Sequence, residues 1–148
     1  MKYKIISLDS RNAEEIHRIE TESFSVPWSR ESIESSLLSP VVVYFGARDF
    51  VNNLCAFVCT SVIPPEAEIL NIAVSKSFRR QGIAESLLLH LMDYLKTTSV
   101  DTVFLEVRES NLPAQLLYQK RGFEVIGKRY KYYTDPIEDA ILMKKIMA

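Results

Sequence analysis

The 148 residues balance eighteen Lys and Arg against nineteen Asp and Glu, with 47% of residues hydrophobic and 25% charged. That is the length of one domain and an ordinary globular composition that argues against disorder, while the net charge of -1 excludes a generic polyanion binder. No apolar run approaches the roughly 20 residues that span a bilayer, and the start MKYKIISLDSRNAEEI turns acidic too early for a signal peptide, so a soluble, cytoplasmic, single-domain protein over residues 1–148 is expected, with no direct nucleic-acid or membrane partner.

Residues 3–8 read as a first strand. Ala13, Ile16, Ile19 and Phe24 fall near helical spacing and predict a helix from Asn12 to Phe24. The turn FSVPWS (24–29) separates it from a shorter helix over 30–38. Three β-rich runs follow, at 41–48, 54–63 and 67–74, and the short segments 51–53 and 64–66 between them predict antiparallel hairpins. Residues 81–97 change period: Ala84, Leu87, Leu88, Leu91, Met92 and Leu95 form one helical stripe. In TVFLEVR (102–108), Val103, Leu105 and Val107 share one face, with Phe104, Glu106 and Arg108 on the other. ESNLPAQLLYQKRGF reads as a helix with Asn111 near its cap, Pro113 early and Gly122 as its stop. FEVIGKRYKYY and AILMKKIM close the chain as two strands joined by a loop with Asp135 and Pro136.

The order β-α-α-β-β-β-α-β-α-β-β describes a mixed sheet with helices on its faces. The helix over 81–97 links strands 67–74 and 102–108 as a crossover between parallel neighbours, and ligands of such sheets sit where the parallel pair opens, at the strands' carboxyl ends.

Cys55 and Cys59 lie in one predicted strand. Four strand residues span about 13 Å, whereas a disulfide needs Cα atoms within about 7 Å, so both are expected as free, buried, apolar side chains. His17 and His90 fall on separate predicted helices with nothing to pair them as metal ligands, and no metal site is expected.

The informative stretch is Asn71-Ile-Ala-Val-Ser-Lys-Ser-Phe-Arg79-Arg80-Gln81-Gly82-Ile83-Ala84. A strand ends at Val74, a basic turn follows, and Gly82 is placed in the first turn of the leucine-striped helix. Free amides and the dipole at a helix N-terminus attract anions, and Gly82 and Ala84 leave the backbone open to a bulky phosphate. The plain alternative is a solvated basic turn. A rival phosphate loop, Gly122 to Gly127-Lys128, fits half of a Walker pattern, but Arg129 stands where Ser or Thr should hold magnesium. It also runs from helix into strand, the reverse of the order that pattern needs.

The signature Arg79-x-x-Gly82-x-Ala84 resembles that of the GNAT superfamily of acetyl-CoA-dependent N-acetyltransferases. With NIAV (71–74), LEVRESN (105–111), LLYQKRGF (116–123), YYTDPIEDAILM (132–143) and FSVPWS, the resemblance covers nearly the whole chain and narrows to the bacterial ribosomal-protein-alanine (RimI-type) branch. It implies an α+β, three-layer fold with a mostly antiparallel twisted sheet, helices on both faces, and a parallel pair splayed at the cofactor site. It implies acetyl-CoA as cosubstrate and no metal. Backbone amides of Arg80, Gln81, Gly82, Ile83, Ala84 and Glu85 would wrap the pyrophosphate, and Ile72, Ala73 and Val74 would bind the pantetheine arm. Asn111 would touch the cofactor, Glu106 would be the general base and Tyr118 the general acid. The acceptor would be a protein N-terminus, the alanine of a small-subunit ribosomal protein.

The residues support these roles on their own terms. Glu106 lies at the carboxyl end of its strand opposite the apolar face, where a partly solvated edge is the alternative. Asn111 and Tyr118, seven apart, share a helix face about 10 Å long, where Tyr118 as a packing residue is the alternative. An α-amine with a reference pKa near about 7.7–8.0 yields its neutral form more readily than Lys at about 10.4, so one carboxylate suffices as base. No Cys–His pair supports an acyl-enzyme, and direct transfer is expected. Other readings are a GNAT enzyme acting on a Lys side chain or small amine, and a CoA-binding module without turnover.

Overall fold

The computed structural model describes residues 3–147. The strands are β1 (Tyr3–Ser7), β2 (Val42–Asp49), β3 (Leu54–Ile63), β4 (Glu66–Val74), β5 (Thr102–Arg108), β6 (Glu124–Tyr133) and β7 (Glu138–Ile146). The helices are α1 (Ala13–Ser23), α2 (Arg30–Leu38), α3 (Ile83–Leu95) and α4 (Leu112–Lys120), with 3₁₀ turns at Ser10–Asn12 and Lys76–Phe78. All strands form one seven-stranded sheet in the order β1-β2-β3-β4-β5-β7-β6. Among neighbouring strands only β4 and β5 pair in parallel; the crossover through α3 joins them, while hairpins join β2 to β3, β3 to β4 and β6 to β7.

The sheet buries two cores. On one face Leu87, Leu88, Leu91 and Leu95 of α3 pack, fully buried, against Val58, Ala67, Ile69, Val103 and Leu105, with Tyr118 of α4 alongside. Burying each leucine contributes about 1.5–3 kcal/mol relative to exposure. On the other face Ile16 and Ile19 of α1 and Ile33 of α2 cover Tyr44, Phe57 and Cys59. Arg48 of β2 grips both Glu15 carboxylate oxygens of α1 at 2.7 Å.

The expected fold class and every expected element are present, with ends shifted by a residue or two. Gly82 departs from expectation: it is the N-cap of α3 rather than part of its first turn, at φ 77°. The helix therefore starts at Ile83, and it ends at Leu95, short of 97. Both cysteines are free and buried, and burial pushes the Cys59 thiol up to about 12. The Walker-like stretch is a helix stop at Gly122, φ 94°, followed by β6, where Lys128 bonds Glu109. His90 of α3 packs edge-on against Phe45, centroids 4.6 Å apart, and no cluster of His, Cys, Asp or Glu among the described residues has the makings of a metal site. No described helix is long and apolar enough to cross a membrane.

Candidate active site

The site begins with one extra residue. In the β3–β4 ladder Thr60 pairs with Ile69 and Cys59 with Asn71, leaving Leu70 as a bulge. Pairing of β4 with β5 runs from Glu66↔Thr102 to Ile69↔Leu105 and stops there. A bulge bends its strand, so the last residues of β4 leave β5 and the sheet opens into a cavity of about 1010 Å³ lined by residues of both strands, α1, α4 and the loop after β6. The bulge also shifts the side-chain phase. Ala67 and Ile69 join the α3-side core, whereas beyond the bulge Ile72 and Val74 take that side and Ala73 joins the α1-side core. Asn71, odd-numbered like Ile69, thereby turns toward α1.

At one end of the cavity the wall is backbone. Ile72, Ala73 and Val74 border it along the edge that β5 abandons. Arg79 donates from Nε to the Val74 carbonyl at 2.9 Å and approaches Ser23 Oγ at 3.4 Å, tying the strand end to α1. Arg80 and Gly82 both hold positive φ, 62° and 77°, a turn geometry that gathers consecutive N–H groups on one side. No side chain caps α3, so its first amides are free. A Cβ built on Gly82 meets nothing within 4 Å. Open space beside a left-handed glycine, uncapped amides and two flanking arginines fit a pyrophosphate, and the strand edge leading away from them fits an extended pantetheine arm. The Glu85 carboxylate takes no part in that cradle: Lys120 and Arg121 pair with it and hold its carboxyl below the usual range. Its backbone amide is what remains for a phosphate. Asn111 caps α4, its Oδ1 accepting from Ala114 N at 3.2 Å, which leaves its amide nitrogen free to donate to a ligand.

The other end is side chains. Glu106 lines the cavity with 18% of its side chain exposed and Arg129 Nε 3.5 Å from Oε1, while Oε2 is buried without a hydrogen-bond partner. Glu68 lies on the same face of β4, its carboxyl raised by burial and by the charge of Glu106. Tyr118, 5% exposed, reaches the same cavity from α4. Burial raises its hydroxyl above the ordinary range, so it is a protonated donor at neutral pH. The structure thus brings Glu106, Tyr118, Asn111 and residues 72–74 to one cavity; of residues 80–85 only Ala84 lines it, the rest of that turn lying outside.

Three features escaped the sequence reading. Glu20 of α1 is 1% exposed and accepts from the Trp28 backbone and the Asn71 amide; its place beside apolar Ile19 in a helical stripe hides it. Arg108 donates to Thr134 O, Pro136 O and Glu138 at 3.0–3.1 Å and stacks on Tyr133 at 4.5 Å, fastening the β6–β7 loop over the cavity. Between Arg129↔Ala140 and Tyr133↔Glu138 the β6 ladder carries extra residues, with Lys131 at φ 51°. Tyr132 and Tyr133 line the cavity, and burial, then the charge of Glu106, pushes the Tyr133 hydroxyl up to about 12.

The splayed parallel pair, the uncapped glycine turn at its end, and Glu106 and Tyr118 lining one cavity fit an acyltransferase of the class the sequence resembles. Residues 13–123 match the family model for the acetyltransferase (GNAT) family, and the chain belongs to that family. It is 36% identical over 141 residues to the [ribosomal protein bS18]-alanine N-acetyltransferase of Escherichia coli K12, covering 94% of each chain. The putative enzyme of the same description from Bacillus subtilis is 31% identical, over 96% of this chain and 94% of that protein. The crystal structure of the ribosomal-protein-S18-alanine N-acetyltransferase from Escherichia coli superposes with a TM-score of 0.92, covering 99% of this chain and 96% of that one.

Proposed function

We propose that the protein transfers acetyl from acetyl-CoA to the N-terminal α-amine of a protein, the N-terminal alanine of a cytoplasmic small-subunit ribosomal protein. The observation that carries this reading is the pairing of a carboxylate holding an unpartnered buried oxygen, Glu106 Oε2, with a protonated phenol, Tyr118, in one cavity. When bound, acetyl-CoA supplies an acetyl thioester. Amides of residues 80–85 hold its pyrophosphate, and the free edge of residues 72–74 holds its arm. Glu106 accepts the proton that the amine loses as it attacks the acetyl carbon. An amide of the abandoned β4 edge stabilises the charge that develops on the acetyl oxygen. Tyr118 donates its proton to the sulfur as the C–S bond breaks. The amine reaches Glu106 from the α1 side, past the Phe24–Trp28 turn and the β6–β7 loop.

Similarity to relatives described as alanine N-acetyltransferases supports the choice of amine. Mass spectrometry of protein N-termini from cells with and without the gene tests it. One ribosomal protein should lose its N-terminal acetyl group in the deletion and regain it on complementation. An unchanged N-terminal acetylation pattern overturns the proposed acceptor.

A further inference from the structure

Resting on that reading of the site, we propose that Asn71 contacts the acceptor substrate: its side-chain oxygen accepts a hydrogen bond from an N–H of the incoming amino terminus, and Glu20 is the positioning residue that holds it in that orientation. Asn71 follows the bulge at Leu70, which turns its side chain to the α1 face of β4, the face that also carries Glu68. It lines the large cavity together with Glu20 and Trp28. Both Glu20 oxygens lie 2.9 Å from Asn71 Nδ2, and Oε1 also accepts from Trp28 N at 3.1 Å.

This arrangement decides which way the amide points. An ionised carboxylate only accepts, so with Glu20 charged the NH₂ end of Asn71 faces it. Oδ1 then points away from Glu20 and has no partner among the described residues. An acceptor at the splay of β4 and β5, on the substrate side of the sheet, matches the donors that an amino terminus brings. The reverse orientation would set Oδ1 against the carboxylate and turn two donors toward an incoming ammonium.

Burying a carboxylate costs more than burying an apolar side chain of its size. Fastening α1 to the sheet alone does not require one here, since Arg48 and Glu15 already make that connection. A charge at Glu20 accounts for something a neutral residue would leave undefined, the orientation of Asn71.

Steady-state kinetics with both substrates varied tests the proposal. Asn71→Leu should raise KM for an Ala-initiated peptide about tenfold, the scale of one lost hydrogen bond, with KM for acetyl-CoA and its thermal shift unchanged. Glu20→Gln should move the peptide KM in the same direction by less, since either amide orientation is then tolerated. The exchange variant Glu20→Gln/Asn71→Asp restores one orientation, the Gln amide donating to one Asp oxygen and the other facing the cavity, and should bring the peptide KM back toward that of the unaltered protein. It also keeps the test standing where Asn71→Leu fails to fold. An unchanged peptide KM in Asn71→Leu, an equal rise for both substrates, or an exchange variant no better than Glu20→Gln overturns the proposal. If the unaltered protein acetylates a Lys side chain or small amine instead, the acceptor reading falls and the same KM comparison with that amine still tests Asn71. No transfer to any amine overturns both.

Discussion

The two ends of the cleft are built from different materials. At the phosphate end the protein presents main chain: the amides that open α3, the left-handed residues Arg80 and Gly82, and the β4 edge that β5 abandons. At the amine end it presents side chains from five elements: Glu20, Asn71, Glu106, Arg108, Tyr118 and Tyr133. On the proposed reading, main chain would hold the pyrophosphate and arm of acetyl-CoA, and side chains would meet the acceptor. Substitutions at the two ends should therefore fail in different ways.

The largest expected loss is at the amine end. Glu106→Gln should lower turnover about 10²–10⁴-fold, the range of general acid–base catalysis, when assayed near pH 6. The deficit should shrink as pH passes the α-amine's own pKa, near about 7.7–8.0, because substrate then arrives deprotonated. For a Lys acceptor it would persist through about pH 9, since that amine stays protonated to about 10.4. A deficit constant across pH would move the base to another group, and Glu68 on the same face is the first candidate. Tyr118→Phe should lower turnover within the same range while leaving the acetyl-CoA thermal shift intact. Full activity across the pH range would reduce Tyr118 to packing.

At the phosphate end Gly82→Val should abolish ligand binding rather than slow turnover. The unaltered protein gains about 2.7 kcal/mol at a ligand concentration of 100 Kd, read as a higher Tm. The variant should lose that gain, because its side chain fills the space beside the amides. Its own Tm should also fall, since φ 77° costs a side-chain-bearing residue about 1–2 kcal/mol. A full acetyl-CoA shift in a folded Gly82→Val protein would contradict the cradle.

The smallest effect expected is in stability at Glu20. Burial raises its carboxyl above the ordinary range, against the lowering contributions of Trp28 and Asn71; Tyr44 and Cys59 are the other titratable groups close to it. A group whose pKa is raised by folding contributes stability that is full below its unfolded value and is lost as pH rises through the folded one. Between about pH 4, near the unfolded Glu value, and pH 8, the unaltered protein should lose stability relative to Glu20→Gln. Denaturation midpoints of the two proteins across that range check the sign, and parallel curves would show that Glu20 is not held above its ordinary pKa.

The same division explains what could be read in advance. The phosphate end follows from local order, strand then basic turn then glycine then leucine stripe, and each step leaves a mark in consecutive residues. Even so, the pattern puts Gly82 inside the helix, because a left-handed cap and a first-turn residue look alike in one dimension. Glu106 was legible because it breaks an alternating strand. Asn71 was not: counted by twos from Ile69 it belongs to the α3 face, and only the bulge at Leu70 reverses that. Tyr133 escaped for the same reason, lying beyond the irregular stretch of β6. Glu20 reads as an ordinary polar position on α1 until the fold buries it. Nor does local pattern reveal that β7, not β6, pairs with β5.

The central claim is the transfer of acetyl to an α-amine, and one measurement addresses it directly. The purified protein is incubated with acetyl-CoA and a peptide that begins with Ala and carries an internal Lys, and the acetyl group is located by fragmentation in a mass spectrometer. The account predicts a single acetyl group on the Ala nitrogen, absent with Glu106→Gln near pH 6 and partly restored at pH 9. Acetyl on the Lys side chain, or none with the unaltered protein, would contradict it.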